Sequence, residues 1–363
     1  MTSVGYRLAV VSDLNFVPIF SLSTRTRFNN CSQRGSGSCF GLRRKLGCVS
    51  CVAEGASQSM EVKSEVGWKI LVTDPSDQQQ LGRVSKVGNL EQITLDHAPS
   101  NQQVKVFLFG ATVSSWKKNE IERFFLSQEA DFSGQKPIRG GIPLCFPQFG
   151  PYGPLSQHGF ARISYWRLKQ MGTTQDRSAN GMILCLSNQD LNPTWLSSWP
   201  FAFTAEYQII LGFDGLQTHF KVRNDGEEPF SFTFAFHNYF DVSDVSSCQI
   251  FGLEKVPFYD RRKNDEWTEQ GEENLTGFQI VEPVDRVYAS TPNELAIFDS
   301  SKLQIIKIKK YHLPDSTLWN PFGTNGSDPG WKGFLCLEPG AIKSPILLKS
   351  GEEWQASQII QCE

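Results

Sequence analysis

The segment from Phe230 to Phe240, Phe-Ser-Phe-Thr-Phe-Ala-Phe-His-Asn-Tyr-Phe, limits the possible folds more than any other stretch of the chain. Side chains of an extended strand alternate between its two faces. Phe230, Phe232, Phe234 and Phe236 therefore share one face, and Ser231, Thr233, Ala235, His237 and Tyr239 share the other. A helix would scatter the four phenylalanines around its circumference, whereas a strand gathers them into an apolar ribbon that needs a second layer to cover it. Period-2 alternation and short apolar runs recur from about Val62 onward, at Val104 to Phe109, Gln217 to Val222, Leu303 to Ile308 and Gly333 to Leu337. Few windows hold helical spacing for three turns. The 30 Gly and 19 Pro supply turns, and 27 Phe with nine Trp supply the aromatic bulk that strands accommodate well. No linker, repeat or low-complexity tract divides this body, so residues 62–363 are expected to form a single large all-β domain, a mostly antiparallel sandwich.

Charge separates the beginning of the chain from this body. Residues 1–52 hold seven basic residues (Arg7, Arg25, Arg27, Arg34, Arg43, Arg44, Lys45), one acid (Asp13) and eight Ser, leaving 28 basic and 37 acidic residues in the rest. An Arg- and Ser-rich, acid-poor leader is the pattern of an organelle transit peptide, and the apolar run Leu8 to Val11 is too short for a secretory signal. Residues 1–55 are therefore read as a disordered transit peptide that addresses the chain to the chloroplast stroma, with the mitochondrion as the alternative. Lys and Arg total 35 against 38 Asp and Glu, which provides no broad basic surface for nucleic acid, and the mean hydropathy of -0.31 comes without any membrane-spanning run. The Cys48-x-x-Cys51 pair falls in the leader without a second pair at metal-ligand spacing. Cys145, Cys185, Cys248, Cys336 and Cys362 are scattered and odd in number, and read as reduced structural thiols.

The polar face of the Phe230 strand carries His237, which at an unperturbed pKa of ~6.5 is expected to hold a proton for donation at neutral pH. A single such histidine is more simply explained as one satisfied on a sheet surface, but a second strand repeats the pattern. In Gly333-Phe-Leu-Cys-Leu-Glu-Pro-Gly340, Phe334, Cys336 and Glu338 share a face, with Glu338 expected at the strand's end. A carboxylate closing an apolar strand is partly desolvated, which raises its pKa towards useful base strength. The segment Lys136 to Gly150 sets Arg139 beside two glycines, an arrangement expected to let an anion approach backbone N–H groups and a guanidinium together, although it lacks P-loop spacing. Gln157-His-Gly-Phe-Ala-Arg162 then places an amide, an imidazole and a second guanidinium within six residues of loop. These residue types suit a small polyhydroxylated anion.

Taken together, KPIRGGIPLCFPQFG, QHGFAR, FAFHNYF, VDRVY (284–288), DSTLWNP (315–321) and FLCLEPGAI resemble, in order from about residue 85 to the C-terminus, the hexose-6-phosphate mutarotases, or glucose-6-phosphate 1-epimerases, of the galactose-mutarotase-like superfamily. The resemblance implies a β-supersandwich and reversible conversion between the anomers of a hexose 6-phosphate, with no metal or organic cofactor; the expected partner is a small-molecule sugar phosphate, and the chain is expected to be a monomer, with a protein-complex partner left open. It puts His237 and Glu338 at the catalytic positions and Arg139, Gln157, Arg162 and Asp285 at substrate-binding positions, with His158 and Asp315 as secondary candidates. The chain departs from the family pattern between Gly323 and Trp331, where relatives carry a longer acidic stretch and a Tyr seven residues before the glutamate. Two other readings use the same fold. One is a non-catalytic scaffold subunit of a plastid complex such as the NAD(P)H dehydrogenase-like complex, which would not need the acid–base pair. The other is a sugar-phosphate-sensing regulator, which would keep Arg139 and Arg162 but have no use for Glu338.

Overall fold

The computed structural model describes residues 70–72, 82–174, 177–263, 267–268, 277–324 and 328–363. The expected leader, residues 1–55, lies outside them. Among the described residues there are three sheets of ten, eight and five strands. Among these residues the one α-helix, Pro193–Ser198, has six residues, and no described helix is long and apolar enough to cross a membrane.

The centre of the ten-stranded sheet is formed by Phe203–Gly212, Gly215–Asn224, Glu353–Cys362 and Gln304–Tyr311, paired antiparallel in that order. The eight-stranded sheet is built around Val284–Tyr288, Asp315–Asn320, Phe334–Leu348 and Phe230–Phe236, also antiparallel. The smaller sheet is a meander from Gly82–Val87 to Ile121–Glu122.

The phenylalanine ribbon welds the two large sheets. Phe230, Phe232, Phe234 and Phe236 are 0–2% exposed. Phe234 stacks on Phe220 of the ten-stranded sheet with centroids 4.3 Å apart, and Trp354 from the same sheet meets Phe232 and Phe234 edge-on at 5.3 and 5.6 Å. Leu335 and Leu337 of the long strand face the same core. By alternation, the side chains between them turn to the opposite face of the eight-stranded sheet, where His237, Cys336 and Glu338 lie.

Strand register brings the two candidate catalytic residues together. Phe234 pairs with Ala341 and Ala235 with Gly340; after a break at His237 and Asn238, Tyr239 pairs with Cys336 and Phe240 with Leu335. Both fragments keep one register, and its continuation sets His237 opposite Glu338. Asn238 spans the break: its side-chain amide donates to the Leu337 carbonyl at 3.1 Å and exchanges two hydrogen bonds with Gln358 at 2.8 and 3.0 Å. Glu338 is not at a strand end, as the sequence suggested. Its strand runs without interruption through Pro339 to Leu348, because Pro339 pairs with Ser316 on the neighbouring strand and the ladder closes around the missing N–H.

Candidate active site

A cavity of about 430 Å³ opens on this outer face, within the size range of small-molecule sites. His237 and Glu338 form part of its wall, and both are nearly inaccessible, with side chains 9% and 2% exposed. His237 Nδ1 stands 3.3 Å from Glu338 Oε1. The His237 ring lies flat on Tyr239, with centroids 4.6 Å apart and planes 3° from parallel, and its backbone N–H donates to the Pro143 carbonyl at 3.0 Å. The imidazole is thus fixed in place by stacking and by its main chain.

Burial governs how this pair holds protons. It raises Glu338 well above the usual carboxylate range, with the Asp285 charge adding to the effect. It lowers His237 to about 3, helped by the positive charge of Arg162. The sequence suggested a histidine near its ordinary pKa that would hold a proton at neutral pH. The structure corrects this, since an imidazolium would have to be formed in a dry site beside guanidinium groups. Both shifts favour a neutral carboxyl beside a neutral imidazole, a pair with one proton to give and one basic nitrogen to receive another.

The remaining candidates, apart from Asp315, line the same cavity. Arg139 is ion-paired through Nε with the buried Asp328 at 3.0 Å and approaches the Trp319 ring at 6.0 Å. Asp328 belongs to the stretch where the sequence departs from the family pattern, and this chain uses it to hold Arg139. Arg162 donates through Nη2 to the Gln157 carbonyl at 2.7 Å, which orders the loop that carries Gln157 and His158. His158 Nδ1 accepts the Gly150 N–H at 3.2 Å and lies 3.1 Å from the Cys145 thiol. A backbone N–H can only donate, so the proton of the neutral ring sits on Nε2, beside the Gln157 amide at 3.3 Å. His158 is held well below its ordinary pKa by burial and by Arg162, and so offers a neutral donor. Asp285 reaches Arg261 at 3.4 Å.

Asp315 does not line the cavity. It is buried, and its carboxylate accepts the backbone N–H groups of Ile342 and Lys343 at 2.8 Å each and of Ser290 at 3.2 Å. Its motif carries a structural clamp. The reading of the paired glycines also changes. Gly140 and Gly141 have φ of 128° and 66°, and a Cβ on Gly141 would stand 1.9 Å from the Val113 carbonyl oxygen. Gly141 N–H is already spent on the Phe125 carbonyl at 2.8 Å. The glycines permit close packing of backbones and do not form an anion cradle.

Sequence reasoning missed Arg261, Tyr239, Thr317 and Trp319, all on the cavity wall. Tyr239 follows His237 by two positions, and Thr317 and Trp319 alternate with the core residue Leu318, so period-2 spacing could have found all three. Arg261 follows the strand Phe258–Asp260 and gave no signal beside Arg262, which turns instead to Asp260 at 3.1 Å.

The model of the aldose 1-epimerase family matches residues 91–361. A protein of Cenchrus ciliaris provisionally named glucose-6-phosphate 1-epimerase is 38% identical over 285 residues, which cover 75% of this chain and 84% of the relative. A similarly named protein of Escherichia coli is 32% identical over 268 residues, covering 70% and 84%. Among solved structures, a provisionally named mutarotase from Salmonella typhimurium superposes with a TM-score of 0.68 at 24% identity, over 81% of this chain and 96% of its own. A galactose mutarotase-like protein from Clostridium acetobutylicum gives 0.61 at 15% identity, over 78% and 98%. At such identities these structures speak for the fold, a galactose-mutarotase-like arrangement of antiparallel sheets.

Proposed function

The chain belongs to the aldose 1-epimerase family, and from that premise we propose that it interconverts the α and β anomers of a hexose 6-phosphate, glucose 6-phosphate first among them. The observation that carries this reading is the buried His237–Glu338 pair at 3.3 Å on the wall of a cavity that also presents Arg139, Arg162 and Arg261. Opening a cyclic hemiacetal requires a proton to leave the anomeric hydroxyl while another reaches the ring oxygen, so one acceptor and one donor must flank the same ring. Burial is the main cause that holds His237 low, and a phosphate dianion alongside the three guanidinium groups cancels the positive charge that lowers it further. The Glu338 proton then passes to the imidazole and leaves Glu338 as the carboxylate base. Glu338 takes the anomeric proton, His237 protonates the ring oxygen, and the C1–O5 bond opens to the aldehyde. Rotation about the C1–C2 bond and reversal of both transfers closes the ring on the other face, and the pair regains its starting protons. The planar forks of the arginines match a phosphate better than lysine would, and Trp319 offers an apolar wall to the sugar.

The test is anomerisation of purified chain followed by polarimetry or NMR, with glucose 6-phosphate and glucose compared. Much faster turnover of the phosphate is expected. Equal use of the free sugar overturns the phosphate assignment, and phosphate binding without turnover would turn the reading to a sensor. We further propose that residues 1–55 address the chain to the plastid, supported by their acid-poor, Arg- and Ser-rich composition. A fluorescent fusion of residues 1–60 is expected in plastids, and its retention in the cytosol or entry into mitochondria would refute that.

A further inference from the structure

His237, Cys336 and Glu338 each offer one metal-ligating atom, and these three atoms lie within 4.8 Å of one another. Cys336 sits two residues before Glu338 on the same face of one strand and is paired in register with Tyr239, so the fold fixes all three side chains. Cys336 is fully buried, and His237 and Glu338 are more than nine-tenths buried. His237 Nδ1 and Glu338 Oε2 have no hydrogen-bond partner, an uncommon state for buried polar atoms and one that an ion would relieve. Two ligands at about 2.0–2.1 Å from a tetrahedral zinc stand about 3.3 Å apart. His237 Nδ1 and Glu338 Oε1 are separated by 3.3 Å.

We propose that His237, Cys336 and Glu338 form a binding site for a divalent zinc ion, with the fourth position open to the cavity, and that zinc seated there inhibits the enzyme. One imidazole nitrogen, one sulfur and one carboxylate oxygen form a borderline-soft set that suits zinc and not magnesium, which demands near-octahedral oxygen ligands. On binding, the Cys336 thiol and the Glu338 carboxyl, which burial holds neutral in the empty site, each release a proton, since the thiolate and the carboxylate are the ligands. Thiolate and carboxylate then cancel the charge of the ion, so the complex is neutral. That neutrality matters in a cavity where Arg139, Arg162 and Arg261 would repel a bare cation. A zinc ion there occupies both proton-transfer groups, and turnover stops. Only the inhibition rests on the proposed mutarotase activity; the site itself does not.

The experiment combines calorimetric titration of the full chain with zinc chloride and the anomerisation assay. The wild type is expected to bind zinc and to lose activity at micromolar concentrations, with recovery on adding EDTA and no effect of magnesium at the same concentration. Cys336→Ser should keep its turnover, lose one zinc-binding event relative to wild type, and need at least tenfold more zinc for inhibition. Cys336→Ala should match it. Cys145→Ser and the double variant Cys48→Ser/Cys51→Ser should keep the event, which separates it from the other thiols. An unchanged stoichiometry and zinc sensitivity in Cys336→Ser, or loss of the inhibitory event in Cys145→Ser, overturns the site. If no preparation anomerises sugar phosphate yet Cys336→Ser still loses one binding event, the site stands and the functional reading fails. The reverse outcome removes the site and leaves the function in place.

Discussion

Replacing Glu338 by Gln keeps the shape and hydrogen-bonding span of the side chain and removes its basic oxygen, so the loss it causes measures proton transfer alone. Glu338→Gln and His237→Asn are each expected to lower kcat by about 10²–10⁴-fold with a smaller change in KM, and the double variant should fall no further than about either single one. A folded Glu338→Gln protein that anomerises glucose 6-phosphate at the wild-type rate would end the mechanism. The arginines call for a different choice of variants. Arg139 neutralises the buried Asp328, so truncating it leaves an unpaired carboxylate and confounds binding with stability. Arg162 is the cleaner probe, because it donates to the neutral Gln157 carbonyl and its truncation leaves no unpaired charge behind. Arg162→Ala removes a charge-assisted contact of about 1.5–3 kcal/mol, which corresponds to a rise of about 10- to 100-fold in KM for glucose 6-phosphate and little change for glucose. Equal effects on both sugars would place the phosphate elsewhere.

At the scale of strands, the site depends on a single register held by polar clamps. The pairing between Phe230–Phe236 and Phe334–Leu348 shifts between Phe232 and Phe234, and Asp315 accepts the N–H groups of Ile342 and Lys343 that the shift leaves behind. Asp315→Ala strands the buried Ile342 N–H and the part-buried N–H groups of Lys343 and Ser290, and a buried donor left without a partner costs about 1–3 kcal/mol, so denaturant unfolding should show a loss of at least about 2 kcal/mol. A change within about 0.5 kcal/mol would deny the clamp. The sequence showed the alternation of the Phe230 strand and of Phe334 to Glu338, because period 2 is imprinted by burial of one face. It therefore placed His237 and Glu338 on outward faces. It did not show that the two strands share a register, which is set by Asn238 and Gln358, residues 120 positions apart. The continuation of the second strand past Pro339 was equally hidden, since proline reads locally as a stop and only the neighbouring strand absorbs its missing donor. Arg261 was invisible for the same reason: a loop guanidinium is recruited by what folds beside it, here Asp285 and the faces of Phe149 and Tyr152.

Across the whole molecule, burial of histidine ties stability to pH. Of five histidines, His97, His158, His219 and His237 all have lowered pKa values with burial as the leading cause, and two are held to about 4 and about 3, namely His219 and His237. An unfolded chain protonates these rings as pH falls through about 6.5, whereas the folded chain does not until much lower pH. The unfolded state therefore binds more protons in that window, and stability declines on acidification from about 6.5 down through the folded values. Glu338 acts with the opposite sign. Its raised pKa lets the folded state keep a proton that the unfolded chain has released, so its contribution is present below the ordinary carboxylate range and is lost as pH rises, and Glu338→Gln should gain stability relative to wild type on the alkaline side. The acid limb is best tested away from the active site. His219 lies in the ten-stranded sheet between Gln208 and Ser357, and its Nε2 has no hydrogen-bond partner, so protonation would put an uncompensated charge into the sheet. Each pH unit below about 6.5 then costs up to about 1.4 kcal/mol from this residue alone, until its folded value of about 4 is reached. His219→Gln carries no titrating group. Thermal unfolding of wild type and variant between pH 7 and pH 4.5 should show the wild-type Tm falling more steeply, with the two curves converging towards neutrality. Parallel curves would mean that His219 titrates as freely in the folded chain as in the unfolded one.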